Sequence, residues 1–286
     1  MPGTLFVVAT PIGNLEDITA RAIRILRDAT LIAAEDTRRT AHLLARYAIA
    51  TPTTSLHEHV EARKAASLIA RLQRGDNIAL VSDAGTPTIS DPGQRLIRGA
   101  IDAGIRVEAV PGPSAAVAAL AASGLSAETF TFLGFPPTRS KDRTAWLADL
   151  RSANRTVVFF EAPHRIRTTL EQIHQTIGDR PVAVGRELTK AHEEWVRGPI
   201  SSVLNELGDP RGEFTVVIDV GQIPDIQQRL TPSAAEMFSE FGEMTANRAT
   251  SRRAAINALA RRHRLPPNEV YAAIEEARKS GRQPKT

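Results

Sequence analysis

Short apolar runs alternate with segments of helical period through the first three quarters of the chain. Residues 4–10 (TLFVVAT) are dense in β-branched and aromatic side chains and predict a strand. Within residues 18–27, Ile18, Ala22 and Ile25 recur every three to four positions, which places them on one face of a helix. Residues 31–34 are strand-like, 58–73 helical, 78–82 (IALVS) a strand, 94–103 a helix and 106–110 a strand. Strands that alternate with helices in this way build a mostly parallel, doubly wound sheet.

A second alternating block follows. It predicts strands at 130–133, 156–161 (TVVFFE), 181–186 and 214–220 (FTVVIDV), with helices at 141–151, 165–177 and 200–207. This is a second α/β domain with mixed strand directions. The Gly/Pro-rich stretch at 110–113 leads into a helix that joins the two. Residues 221–232 read as a linker. Beyond it, residues 248–262 are helical, Pro266 and Pro267 interrupt, and Asn268 is placed to cap a last helix through residue 278. Residues 280–286 are expected to be disordered. The predicted organisation is an α/β domain over 1–115, a second over 116–222, and a basic helical domain over 231–280.

Composition narrows the class. The 286 residues are 42% hydrophobic and 24% charged, ordinary for a soluble globular protein. The absence of cysteine excludes disulfides and thiolate chemistry and fits a reducing compartment. No basic leader precedes the first strand, and the small-apolar run at 115–124 is too short to span a bilayer. The expectation is a cytoplasmic protein with no membrane partner. Residues 244–286 hold ten Lys/Arg against three Asp/Glu, while the rest of the chain is slightly acidic. Such a basic tail suits a polyanionic partner, and equally a solvated helical surface.

In open α/β sheets, ligands bind beyond the carboxyl ends of the strands. Three strand ends of the first domain carry Gly/Pro-dense loops: TPIGN at 10–14, DAGTPTISDPG at 83–93 and PGPSA at 111–115. Glycine admits a ligand close to the backbone and proline stiffens the loop. One such loop is ordinary turn chemistry; three at one sheet edge indicate a ligand site. Neither G-x-G-x-x-G nor G-x-x-x-x-G-K-[ST] occurs, so the ligand is expected to be a nucleoside held without a phosphate grip.

Five segments then carry a family resemblance: VATPIGNLEDIT at 8–19, AEDTR at 34–38, SDAGTPTISDPG at 82–93, PGPSA at 111–115 and EAPHR at 161–165. In order and spacing they resemble the ribosomal RNA small subunit methyltransferase I family, within the tetrapyrrole-methylase-like, class III methyltransferases. The resemblance covers essentially the whole chain. It implies two α/β domains with S-adenosylmethionine in the cleft between them, a homodimer, and 2′-O-methylation of a cytidine ribose in the decoding region of 16S rRNA within the small ribosomal subunit. It implies donor contacts at Pro11, Ile12 and Gly13, at Asp83, Gly85, Thr86, Pro87 and Ile89, at Ser114 and Ala115, and at Phe160, with Glu213 and Phe214 closing the pocket. The chain departs from the family pattern at Phe160 and Ala162, where Tyr and Ser are expected, and at Val60, where Asn is frequent.

Methylation of a hydroxyl calls for alignment and for a proton acceptor. Glu35 and Asp36, in a cluster with Thr37 and Arg38, follow a strand near the predicted mouth; helix capping is the competing role for Asp36. Lys190, after a strand of the second domain, is a phosphate contact or, with a pKa lowered by burial, a base; an exposed loop lysine is the alternative. His164 and Arg165 are candidates for RNA contact or for packing, and Arg38 joins them at the mouth. His57-x-His59 lacks a third ligand at suitable spacing, so no metal is expected. Arg248, Arg252, Arg253, Arg261, Arg262 and Arg264 crowd the tail, and such a stripe can track a phosphate backbone. Two other functions fit the residues: a methyltransferase of this fold acting on a small tetrapyrrole precursor, and a non-catalytic RNA-binding module.

Overall fold

The structure is a computed structural model that describes residues 1–208, 211–221, 234–246, 251–263 and 266–280. It divides into two compact units, Met1–Gln222 and Ile223–Thr286. The first unit contains two five-stranded sheets.

The first sheet is wholly parallel, in the order β3-β2-β4-β1-β5, with β1 Thr4–Val8, β2 Leu31–Ala34, β3 Thr53–Ser55, β4 Ile78–Val81 and β5 Arg106–Val110. Every side chain of β2 (LIAA) and β4 (IALV) is buried, as a strand covered on both faces requires. Helices α1 (Ala20–Asp28), α2 (Thr37–Arg46), α3 (Glu58–Gln73) and α4 (Gln94–Asp102) supply the cover. The sheet has a separate apolar core on each face. One packs Ile25, Leu26, Leu43 and Leu44 against Val8 and Ile32; the other packs Leu68, Leu72 and Leu96 against Leu5 and Leu80. Thr19 caps α1, accepting from the Ala22 N–H, so Ile18 lies just outside the helix but stays buried.

Helix α5 (Ala115–Ser123) follows β5 and ends at Gly124 in the left-handed conformation. The second sheet has the order β6-β7-β10-β8-β9, formed by β6 Phe130–Phe132, β7 Thr156–Glu161, β8 Pro181–Arg186, β9 Glu194–Pro199 and β10 Phe214–Asp219. Only β6 and β7 run parallel, joined through α6 (Ser140–Ser152); the other pairs are antiparallel. Helices α7 (Ile166–Ile177) and α8 (Ile200–Glu206) complete this half. The mixed directions expected from the sequence are present. A third core unites Ile12 of the first half, Ala119 and Leu120 of α5, and Val158, Leu188 and Val217 of the second half.

The second unit contains α9 (Ala234–Ala246), α10 (Arg252–His263) and α11 (Pro267–Ser280) around Met237, Leu259, Val270 and Ile274. Two expectations need correction. Helix α9 occupies part of the chain for which no element was predicted. Asn268 does not cap the last helix but lies within it, because Pro267, with its fixed φ and no N–H to lose, opens α11. The linker at 221–232 falls almost wholly outside the described residues, as do Arg248, Arg264 and residues 281–286. Among the described residues no helix is long and apolar enough to cross a membrane.

Candidate active site

The loops after β1, β4 and β5 are stitched together. Thr10 and Gly85 exchange backbone hydrogen bonds of 2.9 and 3.0 Å, and the Thr86 hydroxyl donates to the Pro113 carbonyl at 3.2 Å. Gly85 has φ +79°, a conformation that L side chains rarely adopt, and a Cβ there would meet Ile12 at 3.4 Å, an ordinary contact, so the backbone conformation is what calls for glycine. The loop continues through Thr88 and Ser90, with φ of 74° and 70°. A β-branched residue with positive φ is an uncommon strain, and strain of this kind gathers at functional sites.

The second sheet meets these loops through residues 187–190. A Cβ on Gly13 would lie 2.5 Å from Lys190 Cγ and 2.8 Å from the Leu188 carbonyl, so only glycine permits this approach. The Asn14 N–H donates to Thr189 Oγ1 at 3.1 Å across the same seam.

Between the halves lies a cleft of about 430 Å³. Of the residues predicted to contact a donor, Ile12, Asp83, Gly85, Thr86, Ile89, Ser114, Ala115, Phe160 and Phe214 line it. Pro11, Gly13 and Pro87 do not; both prolines are buried behind the lining, and Gly13 is spent on the seam. Phe160 packs edge-on to Phe132 and against Phe135, with centroids 5.0 and 5.4 Å apart, forming an aromatic wall. Ser114 begins α5 but its hydroxyl makes no capping hydrogen bond.

The cleft is rich in carboxylates. Glu35, at the end of β2, accepts from the Asp83 N–H at 3.2 Å, and Asp83 accepts from the Asp36 N–H at 2.9 Å and lies 3.4 Å from Arg39. Burial, then the Asp83 charge, pushes the Glu35 carboxyl above its ordinary value, against the pull of the Asp83 N–H. Asp91 stands on the same loop as Gly85. Burial, with the charge of Glu35 second, lifts its pKa to about 6, although a hydrogen bond from Ser82 works the other way. Glu161 is fully buried beneath the wall: it accepts from the Ala162 N–H, from Arg165 and from the Thr169 hydroxyl.

Several candidates are placed otherwise than a catalytic reading requires. Asp36 caps α2 through the Arg38 N–H and pairs with the Arg38 guanidinium at 2.7 Å, which pulls its pKa down to about 2. It does not line the cleft. Lys190 donates to Glu187 at 2.8 Å and to Glu213 at 2.9 Å. Partial burial works against its charge, yet the two carboxylates together hold the ammonium above its ordinary value, the opposite of the shift a basic role needs. Arg165 faces inward, onto Glu161 and the Pro136 carbonyl, whereas His164 is exposed. Arg38 reaches outward with its side chain 89% exposed, leaving it accessible at the mouth. Asp91 was missed in the sequence; its only signal was to be a second acid within the glycine/proline loop. The side chain of His59 lies outside the described residues, and among those described no group of three metal-ligating side chains gathers.

In the second unit, Arg252 pairs with Glu275 at 2.5 Å and Arg262 with Glu240 at 3.4 Å, while Arg253 and Arg261 are exposed with no ion pair among the described residues.

The family model for tetrapyrrole (corrin/porphyrin) methylases matches residues 4–204. The ribosomal RNA small subunit methyltransferase I of Synechocystis sp. is 42% identical over 98% of this chain and 100% of its own length. That of Bacillus subtilis is 41% identical over 95% of this chain and 94% of its own. Among solved structures, a diphthine synthase superposes with a TM-score of 0.61 at 16% identity, covering 76% of this chain and 90% of that one. The uroporphyrin-III C-methyltransferase of Thermus thermophilus, complexed with S-adenosylhomocysteine, superposes with a TM-score of 0.55 at 17% identity over 78% of this chain and all of the other. The structural likenesses establish the shared fold. With the extent of the sequence matches, they show that this chain belongs to the ribosomal RNA small subunit methyltransferase I family of tetrapyrrole-methylase-type methyltransferases.

Proposed function

We propose that this protein transfers a methyl group from S-adenosylmethionine to the ribose 2′-hydroxyl of a cytidine in the decoding region of 16S rRNA, acting in the cytoplasm on the small ribosomal subunit. The observation that carries the reading is the cleft: three glycine/proline loops, stitched by hydrogen bonds, face an aromatic wall from the other sheet.

The residues present fit the donor. A cavity of about 430 Å³ is of the size that encloses a small ligand. Glu35, Asp83, Asp91, Glu213 and the Arg165-paired Glu161 line it against a single arginine, Arg39, a balance suited to a sulfonium cation. Ile12, Phe160, Leu188 and Phe214 would hold the purine, and the Ser114 hydroxyl and the Gly85–Thr86 backbone would fix its polar edges. When bound, the donor supplies an electrophilic methyl group. The chain's part is to hold the ribose hydroxyl in line with it and to exclude water.

Arg38 at the mouth and exposed His164, Arg253 and Arg261 are the proposed phosphate contacts; paired Arg252 and Arg262 complete the basic surface of α10, and Arg248 is placed with them by sequence alone. The exposed side of α5, where Val117 is 57% exposed, suits the proposed homodimer contact. The relatives' names favour an rRNA substrate over a tetrapyrrole. Labelled methyl transfer offered to small subunits and to tetrapyrrole precursors in parallel tests this. Label in the ribose of 16S rRNA is the expected result, and label in the tetrapyrrole alone refutes it.

A further inference from the structure

The cleft's carboxylates are unequally engaged. Glu35 is turned to the Asp83 N–H, and Asp83 to the Asp36 N–H and Arg39. Glu161 is saturated by Arg165, Thr169 and the Ala162 N–H, and Glu213 holds Lys190. Among the described residues Asp91 has no ion-pair partner, and it lines the cavity with the Ser82 hydroxyl close by. Its loop spans the two halves: Ser90 lies against Gly134, beside the wall residue Phe135.

Resting on the methyl-transfer reading of the cleft, we propose that Asp91 is a catalytic residue that accepts the proton of the hydroxyl being methylated. The hydroxyl oxygen bonds to the methyl carbon as the carbon–sulfur bond breaks with its electron pair left on sulfur. The hydroxyl proton passes to a carboxylate oxygen of Asp91 and from there to water. A ribose hydroxyl is a very weak acid, so the transfer gains from a positioned acceptor whose own pKa lies near the working pH. The environment of Asp91 supplies that match: burial and the Glu35 charge set its pKa at about 6, so it is ionised at neutral pH yet more basic than an ordinary aspartate.

Glu35 and Asp83 act on Asp91 from the neighbouring strand ends, and Arg39 of α2 is drawn to Asp83. Glu61 of α3 is spent on the Arg95 and Leu96 N–H groups that open α4. Across the cleft, Glu161 and Glu213 are paired with Arg165 and Lys190.

The test uses the full-length protein, unmodified small subunits and S-adenosylmethionine labelled in its methyl. Single-turnover rates are read from pH 5 to 9, and affinity for S-adenosylhomocysteine, whose sulfur is uncharged, is read by calorimetry. Asp91→Asn is expected to slow transfer roughly 10²–10⁴-fold while the dissociation constant stays within about threefold. The wild-type rate should climb with pH and level off above about 6, and the Asn variant should lose this limb. Asp91→Glu should restore part of the rate, and Glu35→Gln should move the limb to lower pH by removing a neighbouring charge. An Asn variant within about fivefold of wild type, or one that keeps the limb, overturns the assignment, as does a loss of affinity that matches the loss of rate. A wild type that binds the donor but leaves subunits unmethylated overturns the functional reading itself, and the assignment with it.

Discussion

Replacing Asp91 by Asn should make the protein more stable at neutral and alkaline pH, although the residue sits in the cleft. The folded state lifts this carboxyl from 3.8 to about 6. Between those values the folded chain binds a proton that the unfolded chain has released, so stability falls as pH rises through this window. Above about 6 the cost is complete. Each pKa unit is worth about 1.36 kcal/mol, so the full shift corresponds to about 3 kcal/mol. Asp91 is partly open to solvent, and screening reduces this to roughly 1–2 kcal/mol. Asparagine has the shape of the protonated acid and no charge to bury. At pH 8 the variant should therefore melt about 2–8 °C higher, on the usual scaling of about 2–4 °C per kcal/mol for a domain of this size. At pH 3.5, where the acid is largely neutral in both states, the difference should nearly vanish. Scanning calorimetry without donor, at pH 3.5, 5, 6.5 and 8, measures the whole curve. A variant no more stable than wild type at pH 8, or equally stabilised at every pH, refutes the electrostatic account of the cleft.

Three further outcomes are expected. Gly85→Arg puts a long side chain into the cavity from a position with φ +79°, and should weaken donor binding on the order of 10²-fold or more by calorimetry, with circular dichroism confirming the fold; unchanged affinity contradicts the site. Lys190→Arg keeps a permanent cation between Glu187 and Glu213, so the methyl-transfer rate should stay within about tenfold and the pH profile should keep its shape; loss of an alkaline limb would restore lysine as the base. Ending the chain after Gln222 removes a separate compact unit and should weaken binding to small subunits, with a shallower salt dependence of about 0.9 per lost phosphate contact, more than it weakens donor binding; equal losses point to a purely structural role for the helices.

The parts of this fold that were legible in the sequence are those where burial and period coincide. Strands β2 and β4 are continuous apolar runs because both faces are covered, and the loops after β1, β4 and β5 show their glycines and prolines directly. Two of the four edge strands, β3 and β9, escaped, while β5 and β6 were legible. Thr53–Ser55 is three polar residues, and Glu194–Pro199 is largely exposed; strands paired on one side need no apolar pattern. Site chemistry was less legible because it depends on pairs distant in sequence. Asp91 owes its character to burial and then to Glu35, 56 positions earlier, and locally it shows only as a second acid in its loop. Lys190 reads as a free loop lysine until β10 brings Glu213 beside it. Arg165 reads as a surface cation until Glu161, four positions before at the end of β7, is seen to be wholly buried.

The central claim is that the cleft between the two sheets presents a methyl group to a ribose hydroxyl of small-subunit RNA. Mass mapping of 16S rRNA from cells with and without this protein, and from cells that carry only the Gly85→Arg form, tests it most directly. A single ribose methyl group on a cytidine of the decoding region, present with wild type and missing in the other two, is the predicted result. Identical ribose methylation in all three would contradict it.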